Sequence, residues 1–388
     1  MNDVAVLAGA RTAWAEYAGT PGYGRFRDVT AVDLCATAAK AALQRACVAA
    51  DAVDHTIVGN AIQTSHDLIY GARHVGLKAG VPVDRPALTI NRLCGSGIES
   101  VALAARMLKL GEADVVLAGG MENMSQAPYV VRGLRGSAPR FGADIKLVDS
   151  LFEGLLDPLP GLYMAQTAQN CAKKYGVTRE AQDEFALRSH RLGAAAVKEG
   201  RFREEIAPVE TKQGPYADDD PIKPDTSLEA LASLRPAFGK DGTVTAGNAS
   251  GIVDGAAAVV VARSGPALGY IREYAAVGVE PELMGMGPAP AIRKVLQRAG
   301  MRLDAVNLFE INEAFSGQYL AVEKELGLDR DRVNVNGGSI ALGHPLGATG
   351  TRLILTILLE LRRRKAKFGI VSACIGGGQG IAMLLEAA

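Results

Sequence analysis

The chain has 388 residues, with 42 lysines and arginines against 42 aspartates and glutamates, and 48% of its residues are hydrophobic. At about 150 residues per domain, this length predicts two or three domains. The balanced charge argues against intrinsic disorder and against a basic face for nucleic acid. The longest apolar stretch, 353–361, is interrupted by Thr356 and Glu360, so no membrane span is expected.

The five cysteines form no CxxC pair, and their odd number argues against a disulfide framework and a zinc site. A reducing compartment fits this usage. The first residues carry no basic leader, so secretion is not expected. We predict a cytoplasmic protein, with the mitochondrial matrix as the alternative for a eukaryotic source, because no SKL-type peroxisomal tail is present.

The first third of the chain alternates short β-branched runs with helical stretches, which is typical of strands joined by crossover helices in an α/β fold. The predicted elements are strands at 4–7, 57–60, 87–91 and 115–117 and helices at 29–45 and 97–110. We therefore expect this third to form one α/β unit.

The middle of the chain, 121–246, is rich in proline, glycine and charge around one predicted helix at 179–199. Such a segment is typical of an insertion that lies over the core, where ligand-covering loops are found. The run 247–262 then predicts a glycine turn followed by a buried strand that returns to the core.

The second half repeats the pattern of the first. The predicted elements are strands at 270–277, 308–311, 333–335, 368–372 and 381–385 and helices at 289–299, 315–326 and 351–364. Each half contains a strand, then a glycine-rich turn with one reactive side chain, Cys94 or His344, and then a helix. This parallel, which rests on pattern and not on identity between the halves, predicts a duplicated fold with its site between the copies.

Cys94 lies in the turn NRLCGSG directly before a helix with apolar periodicity. The partial positive charge and free N–H groups of a helix N-terminus favour a thiolate and hold an oxyanion. The neighbouring glycines leave room for a substrate to approach closely. Cys94 is therefore a candidate nucleophile, and the alternative is a buried cysteine that packs as a small hydrophobic side chain.

His344 lies in GHPLGATG, a stiff turn that precedes another helix. A histidine held in this way suits proton transfer near neutral pH, because its ordinary pKa is about 6.5. The alternative is a hydrogen-bonded loop histidine. The other four histidines lack such a setting, and we assign them to the surface or to structural roles.

Cys374 precedes a glycine run, and Asn312 and Glu313 follow the strand predicted at 308–311. The glycine spacing does not fit a dinucleotide fingerprint or a P-loop. Asn312 is either a site residue at the carboxyl end of a strand or a helix cap. With no GxSxG or CxxC motif, the cysteines, histidine and asparagine together favour acyl transfer through a thioester.

Six motifs carry a resemblance over nearly the whole chain. They are NRLCGSG (91–97), GGMENMSQAPY (119–129), DGTVTAGNASGIVDGAAA (241–258), NEAF (312–315), NVNGGSIALGHPLGATG (334–350) and ACIGGGQG (373–380). In this order they resemble the thiolase family. The resemblance implies an α/β thiolase fold, duplicated and five-layered (α-β-α-β-α), with an N-terminal domain at 1–120 and 247–265, a loop domain at 121–246 covering the active site, and a C-terminal domain at 266–388.

The resemblance also implies catalytic roles. Cys94 matches the nucleophile, and His344 matches the base that activates it and supports an oxyanion hole with a water held by Asn312. Cys374 matches the second acid/base. The backbone N–H groups of Cys94 and Gly376 match the other oxyanion hole.

On the substrate side, Ser250 matches a contact to the pantetheine arm, and Met164 and Phe315 match walls of the acyl pocket. Lys223 is a candidate for the basic residue near the adenine, in a segment that aligns poorly. The resemblance implies acyl-CoA and CoA as partners, with CoA a substrate and no tightly bound cofactor or metal. It also implies a homodimer or homotetramer.

The function implied is CoA-dependent thiolytic cleavage of 3-ketoacyl-CoA, or the reverse condensation, through an acyl-cysteine. The motifs MAQTAQN, MSQAPYVVRG and SACIGGGQGIA look like those of mitochondrial-type 3-ketoacyl-CoA thiolases of fatty acid degradation. The first alternative is an acetyl-CoA acetyltransferase restricted to acetoacetyl-CoA, but Tyr163 and Met164 replace the His-Met pair usual in that branch. The second alternative, a catalytically silent CoA- or lipid-binding homologue, would normally have lost a reactive side chain that this chain keeps.

Overall fold

A computed structural model describes residues 4–136 and 139–388. The core is a mixed β-sheet of nine main strands, to which the short strand Ala15–Glu16 adds a tenth. The main strands are β1 (Val4–Arg11), β2 (His55–Gly59), β3 (Ala87–Ile90), β4 (Val115–Glu122), β5 (Val253–Ala262), β6 (Gly269–Gly278), β7 (Leu308–Ile311), β8 (Phe368–Ile375) and β9 (Gln379–Ala387). Their order across the sheet is β7-β8-β9-β6-β1-β5-β4-β2-β3.

Eight longer helices accompany these strands. They are α1 (Ala31–Ala46), α2 (Gly71–Ala79), α3 (Ser96–Leu110), α4 (Met164–Lys174), α5 (Arg179–Lys198), α6 (Pro288–Ala299), α7 (Ser316–Leu326) and α8 (Leu346–Arg364). Local signals set their ends: the Thr30 hydroxyl accepts from the Asp33 N–H at the start of α1, and Cys47 ends it in the left-handed conformation. Among the described residues, no helix is long and apolar enough to cross a membrane.

The two halves of the sheet have the same strand order. From the centre outward, the first half runs β1, β5, β4, β2, β3, and the second runs β6, β9, β8, β7. In both, the first strand of the half is innermost and the last strand lies next to it. The two first strands pair antiparallel, with Val4 opposite Ile271. The predicted duplication is therefore confirmed in the topology.

The prediction of a strand at 333–335 is wrong beyond its first residue. Val333 makes a single parallel bridge to Phe309 of β7, at the place that β3 occupies in the other half. Asn334 then turns the chain with a φ of 48°. Its side chain accepts from the Ile311 N–H and donates to the Ile311 carbonyl, both at 2.9 Å, and so replaces the backbone ladder.

Helices α3 and α8 form the central layer and pack against both half-sheets. Helices α1 and α2 cover the outer face of the first half, and α6 and α7 cover that of the second. Together these make the five α-β-α-β-α layers. Helix α8 is buried at every residue from 346 to 361, as expected for a helix packed on all sides.

Helix α8 begins five residues before the predicted start at 351. The early glycines suggested a loop, but they are needed for close packing against α3. A Cβ atom at Gly350 would lie 2.4 Å from the Ile98 backbone nitrogen, and one at Gly97 would lie 2.5 Å from the Thr351 nitrogen. Glycine therefore allows the two helices to approach backbone to backbone.

The segment 121–246 lies against the core and contains α4 and α5. It also contains the short helices Ser150–Gly154 and Leu228–Ala232 and the strand pairs Tyr129–Val130 with Val148–Asp149, Leu156–Asp157 with Leu162–Tyr163, and Val209–Thr211 with Gly214–Tyr216. The predicted helix at 179–199 is confirmed as α5. The short helix Ser339–Leu342 precedes α8.

Candidate active site

Cys94 lies in a tight turn between β3 and α3. Leu93 adopts a left-handed φ of 45°, and α3 begins at Ser96, two residues after the cysteine. The Ser96 hydroxyl donates to the Leu93 carbonyl at 2.7 Å and accepts from the Arg92 N–H at 2.8 Å. The predicted position of the thiol before a helix N-terminus is confirmed.

His344 occupies the equivalent place in the second half, two residues before α8. The preceding Gly343 has a φ of 86°, and a Cβ atom there would lie 2.3 Å from a methyl group of Val253. The His344 N–H donates to the Gly251 carbonyl at 3.0 Å. A turn that only glycine fits thus fixes the imidazole at the start of the central helix.

A cavity of about 280 Å³ brings the predicted residues together. Its lining includes Cys94, His344, Cys374, Ser250, Met164 and Phe315. The two cysteines and the histidine come from turns and strand ends of both halves. The two halves of the fold therefore bring both thiols and the imidazole to the wall of one cavity.

Asn312 is fully buried beside this cavity. Its Nδ2 lies 3.3 Å from His344 Nε2, and its Oδ1 accepts from the Ser339 hydroxyl at 2.7 Å. The alternative role as a helix cap is wrong, because α7 begins after Phe315 without a side-chain cap. Asn312 instead connects the strand end of β7 to the imidazole.

Gly376 follows β8 and approaches the nucleophile from the opposite half of the fold. Its backbone N–H and that of Cys94 itself both act to lower the pKa of the Cys94 thiol. A Cβ atom at Gly376 would lie 3.1 Å from Leu93 and 3.3 Å from the Met164 sulfur. The two N–H groups predicted to form an oxyanion hole are thus both next to the thiol.

Burial controls the protonation of the three reactive groups. It raises the pKa of Cys94 to about 11, although the two backbone N–H groups act in the other direction. Burial, with the positive charge of Arg352, lowers the pKa of His344 to about 3. Burial also raises the pKa of Cys374 well above its ordinary value. The expectation that the helix N-terminus favours a thiolate is therefore outweighed, and the resting groups are neutral.

Glu122 is a buried carboxylate at the end of β4 that sequence analysis missed. It accepts from the Ala61 N–H at 3.1 Å, Asn60 Nδ2 at 2.8 Å and the Gly347 N–H at 2.9 Å. Burial raises its pKa to about 7. These bonds join the loop after β2 to the first turn of α8, directly after His344.

Glu313 forms a second buried carboxylate centre. It accepts from the Ser189 hydroxyl and Asn334 Nδ2, each at 2.7 Å, and from the Ile340 N–H at 3.2 Å. The segment that carries Ser339 is therefore held in place from both sides. Sequence analysis placed Glu313 at a strand end but assigned it no role.

Aromatic side chains of the segment 121–246 form one wall of the cavity. The ring of Tyr163 lies 4.6 Å from that of Phe152 and 5.4 Å from that of Phe238, measured between centroids. All three line the cavity, as does Leu155. Phe152 and Phe238 were missed, because single aromatic residues in an irregular segment carry no periodic signal.

Lys223 lies outside the cavity lining. Its Nζ pairs with Glu16 at 2.8 Å, donates to the Tyr23 hydroxyl at 2.7 Å and lies 4.3 Å from the Tyr23 ring centroid. These contacts describe a structural role at the edge of the insertion. Its contact with the adenine stays a prediction.

Comparison with known proteins places this geometry in a family. Residues 4–265 match the thiolase N-terminal domain and residues 266–387 match the thiolase C-terminal domain. Human mitochondrial 3-ketoacyl-CoA thiolase is 48% identical, over 100% of this chain and 98% of the relative. An acetyl-CoA acetyltransferase of Escherichia coli is 46% identical, over 100% of this chain and 99% of the relative.

A crystal structure agrees with these sequence matches. That of human mitochondrial 3-ketoacyl-CoA thiolase in complex with CoA superposes with a TM-score of 0.96, covering 100% of this chain and 98% of that chain. The two domain matches together span nearly the full length, and the relatives align from end to end. The chain therefore belongs to the thiolase family of acyltransferases.

Proposed function

We propose that this chain catalyses CoA-dependent thiolytic cleavage of 3-ketoacyl-CoA to acetyl-CoA and a shortened acyl-CoA, and the reverse Claisen condensation, through an acyl-Cys94 intermediate. The observation that carries the proposal is the single cavity lined by Cys94, His344 and Cys374. Two thiols and a neutral imidazole provide a nucleophile, a base and a second proton donor, which a carbon–carbon cleavage of this type requires.

In the first half-reaction, His344 Nε2 takes the thiol proton as the Cys94 sulfur attacks the 3-keto carbon. The bond between carbons 2 and 3 breaks, the acyl group stays on Cys94 as a thioester, and the electron pair stays on the acetyl-CoA enolate. Cys374 then protonates carbon 2 and acetyl-CoA leaves. Because burial disfavours both the thiolate and the imidazolium, proton transfer accompanies attack and does not precede it.

In the second half-reaction, the CoA thiol gives its proton to the Cys374 thiolate and attacks the acyl carbon. Cys94 leaves and regains its proton from His344, so the site returns to its starting state. The N–H groups of Cys94 and Gly376 stabilise the oxyanion of each tetrahedral intermediate, and protonated His344 with Asn312 faces the enolate oxygen. Free and acylated enzyme alternate, so the kinetics are ping-pong.

The cavity wall supports a proposal on the substrate range. The chain is 48% identical to a 3-ketoacyl-CoA thiolase and 46% identical to an acetyl-CoA acetyltransferase, so the preference for one branch comes from the cavity. The apolar wall of Phe152, Tyr163 and Phe238 supports a longer acyl chain and hence fatty acid degradation. Burying each CH₂ contributes about 0.8 kcal/mol, or about fourfold in kcat/KM, until the cavity is filled.

The test is cleavage of a substrate series from acetoacetyl-CoA to 3-ketopalmitoyl-CoA by wild type and Cys94→Ala. We expect kcat/KM to rise with chain length until the cavity is filled, and the variant to lose cleavage. Cleavage of acetoacetyl-CoA alone would assign the chain to the acetyl-CoA acetyltransferases. If wild type binds CoA but cleaves nothing, the silent homologue is the correct interpretation.

CoA and acyl-CoA are the small-molecule partners, with no tightly bound cofactor and no nucleic acid or membrane partner. We propose a homodimer or homotetramer, which light scattering distinguishes, in the cytoplasm or, in a eukaryote, the mitochondrial matrix. We propose an N-terminal domain at 1–120 with 247–265, a loop domain at 121–246 and a C-terminal domain at 266–388.

A further inference from the structure

Buried groups lie within hydrogen-bonding distance of both ring nitrogens of His344. Thr349 Oγ1, one turn into α8, lies 2.6 Å from Nδ1 and 3.1 Å from the Pro345 carbonyl oxygen. On the other side, Asn312 Nδ2 lies 3.3 Å from Nε2 and Ser339 Oγ lies 2.7 Å from Asn312 Oδ1. Each hydroxyl can donate only one hydrogen bond. The way in which these contacts share their protons therefore determines which ring nitrogen of His344 carries the hydrogen.

One assignment gives every proton an acceptor. The Thr349 hydroxyl donates to the Pro345 carbonyl, which only accepts, and its oxygen then accepts from His344 Nδ1–H. The Ser339 hydroxyl donates to Asn312 Oδ1, which turns the amide N–H toward Nε2. Nε2 therefore carries a lone pair and no proton.

The opposite tautomer fits less well. A proton on Nε2 would face the Asn312 amide N–H, so the amide would have to turn over and donate to Ser339. The Ser339 proton would then have no acceptor among the residues that the structure describes, at a position that is fully buried. Buried polar groups are nearly always paired, which disfavours this arrangement.

We propose that Thr349 and Ser339 are positioning residues that hold His344 as the Nδ1–H tautomer and keep Nε2 free of a proton. The inference rests on the proposed function, in which Nε2 is the base. Neither hydroxyl lines the cavity. Thr349 acts on Nδ1 directly, and Ser339 acts through Asn312.

The tautomer is measured directly on the ligand-free enzyme by ¹⁵N spectra of selectively labelled histidine, with His344→Gln identifying the signal. We expect wild type to show a protonated Nδ1 and an unprotonated Nε2, and Thr349→Val to move the population toward Nε2–H. A protonated Nε2 in wild type would overturn the proposal. This measurement does not depend on turnover, so a failure of the proposed function is distinguishable from a failure of this inference.

The kinetic test uses acetoacetyl-CoA thiolysis. Thr349→Val keeps the side-chain volume and removes the hydroxyl, and we expect kcat to fall by about ten- to hundredfold with KM within about threefold. Thr349→Ser keeps the hydroxyl and is expected to restore most of kcat. Ser339→Ala is expected to lower kcat in the same direction.

Thr356 provides the matched control. It is buried on the same helix, and its Oγ1 has no hydrogen-bond partner in the described part of the chain. We expect Thr356→Val to keep the wild-type kcat, with thermal unfolding reporting whether each variant folds. An equal loss in Thr356→Val, or no rescue by Thr349→Ser, would show a structural effect and overturn the proposal.

Discussion

At the residue scale, the thiol of Cys94 and the imidazole of His344 are both uncharged at neutral pH. Their pKa values of about 11 and about 3 have the same cause, because burial penalises the thiolate and the imidazolium alike. Burial therefore disfavours a thiolate–imidazolium pair in the free enzyme. In the proposed mechanism the proton therefore moves as the sulfur attacks the substrate carbonyl.

This protonation state predicts how Cys94 reacts with iodoacetamide. The thiolate is the nucleophile, so we expect the alkylation rate to keep rising by about tenfold per pH unit from about pH 7 to about pH 9. Cys47 is exposed, so the measurement uses Cys47→Ser, in which the other three thiols are buried. Mass spectrometry identifies the site, and acyl-CoA should protect it. A rate that levels off below pH 8 would instead indicate a thiolate–imidazolium pair.

At the element scale, the crossing of α3 and α8 sets the position of both reactive side chains. Each residue lies two positions before one of these helices. The glycines at the crossing allow the backbones of α3 and α8 to touch. The distance between these two helices therefore sets the distance between Cys94 and His344. Packing in the central layer therefore controls how the two proposed catalytic side chains are placed.

Gly97→Ala tests this dependence. The new methyl group would lie 2.5 Å from the Thr351 nitrogen, so the helices must separate. We expect a loss of about 1–3 kcal/mol in the free energy of unfolding and a clear fall in kcat. Gly193→Ala is the control, because its nearest neighbour lies 3.4 Å away. Wild-type kcat in Gly97→Ala, measured beside thermal unfolding, would contradict this account.

At the scale of the whole molecule, buried ion pairs attach the segment 121–246 to the core. Arg11 of β1 pairs through Nε with Glu205 and through both terminal nitrogens with Asp219, each at 2.7 Å. The two carboxylates hold the pKa of Arg11 above its ordinary value despite burial. Because this segment supplies the aromatic wall, its attachment shapes the cavity.

Arg11→Met tests whether the ion pairs of Arg11 attach the segment 121–246 to the core and so hold the wall of the cavity. Two buried carboxylates would lose their partner, so we expect about 3–5 kcal/mol less stability in denaturant unfolding. We also expect a higher KM for long-chain substrates, because the wall is no longer fixed. The control Arg302→Met removes an exposed pair with Asp304 and should change stability by at most about 1 kcal/mol. Similar losses in both variants would refute the attachment role.

Much of the architecture was predictable because its strands, turns and helices produce periodic patterns in neighbouring residues of the sequence. Strands, turns and helices of both halves followed from periodicity, and the duplicated topology is confirmed in the strand order. The predicted strand at 333–335 was wrong, because the Asn334 side chain bonds the neighbouring strand in place of the backbone. The start of α8 was missed because glycines that serve helix packing look like loop residues.

The sequence by itself determined the family, the fold and the positions of Cys94 and His344 before two helices, because these depend on motifs and spacing among near neighbours in the chain. Only the tertiary structure decided the protonation of the site, the hydrogen bonds that orient His344, and the aromatic wall of Phe152 and Phe238. Each of these depends on burial or on contacts with other segments of the folded chain, and such effects leave no mark on local sequence pattern.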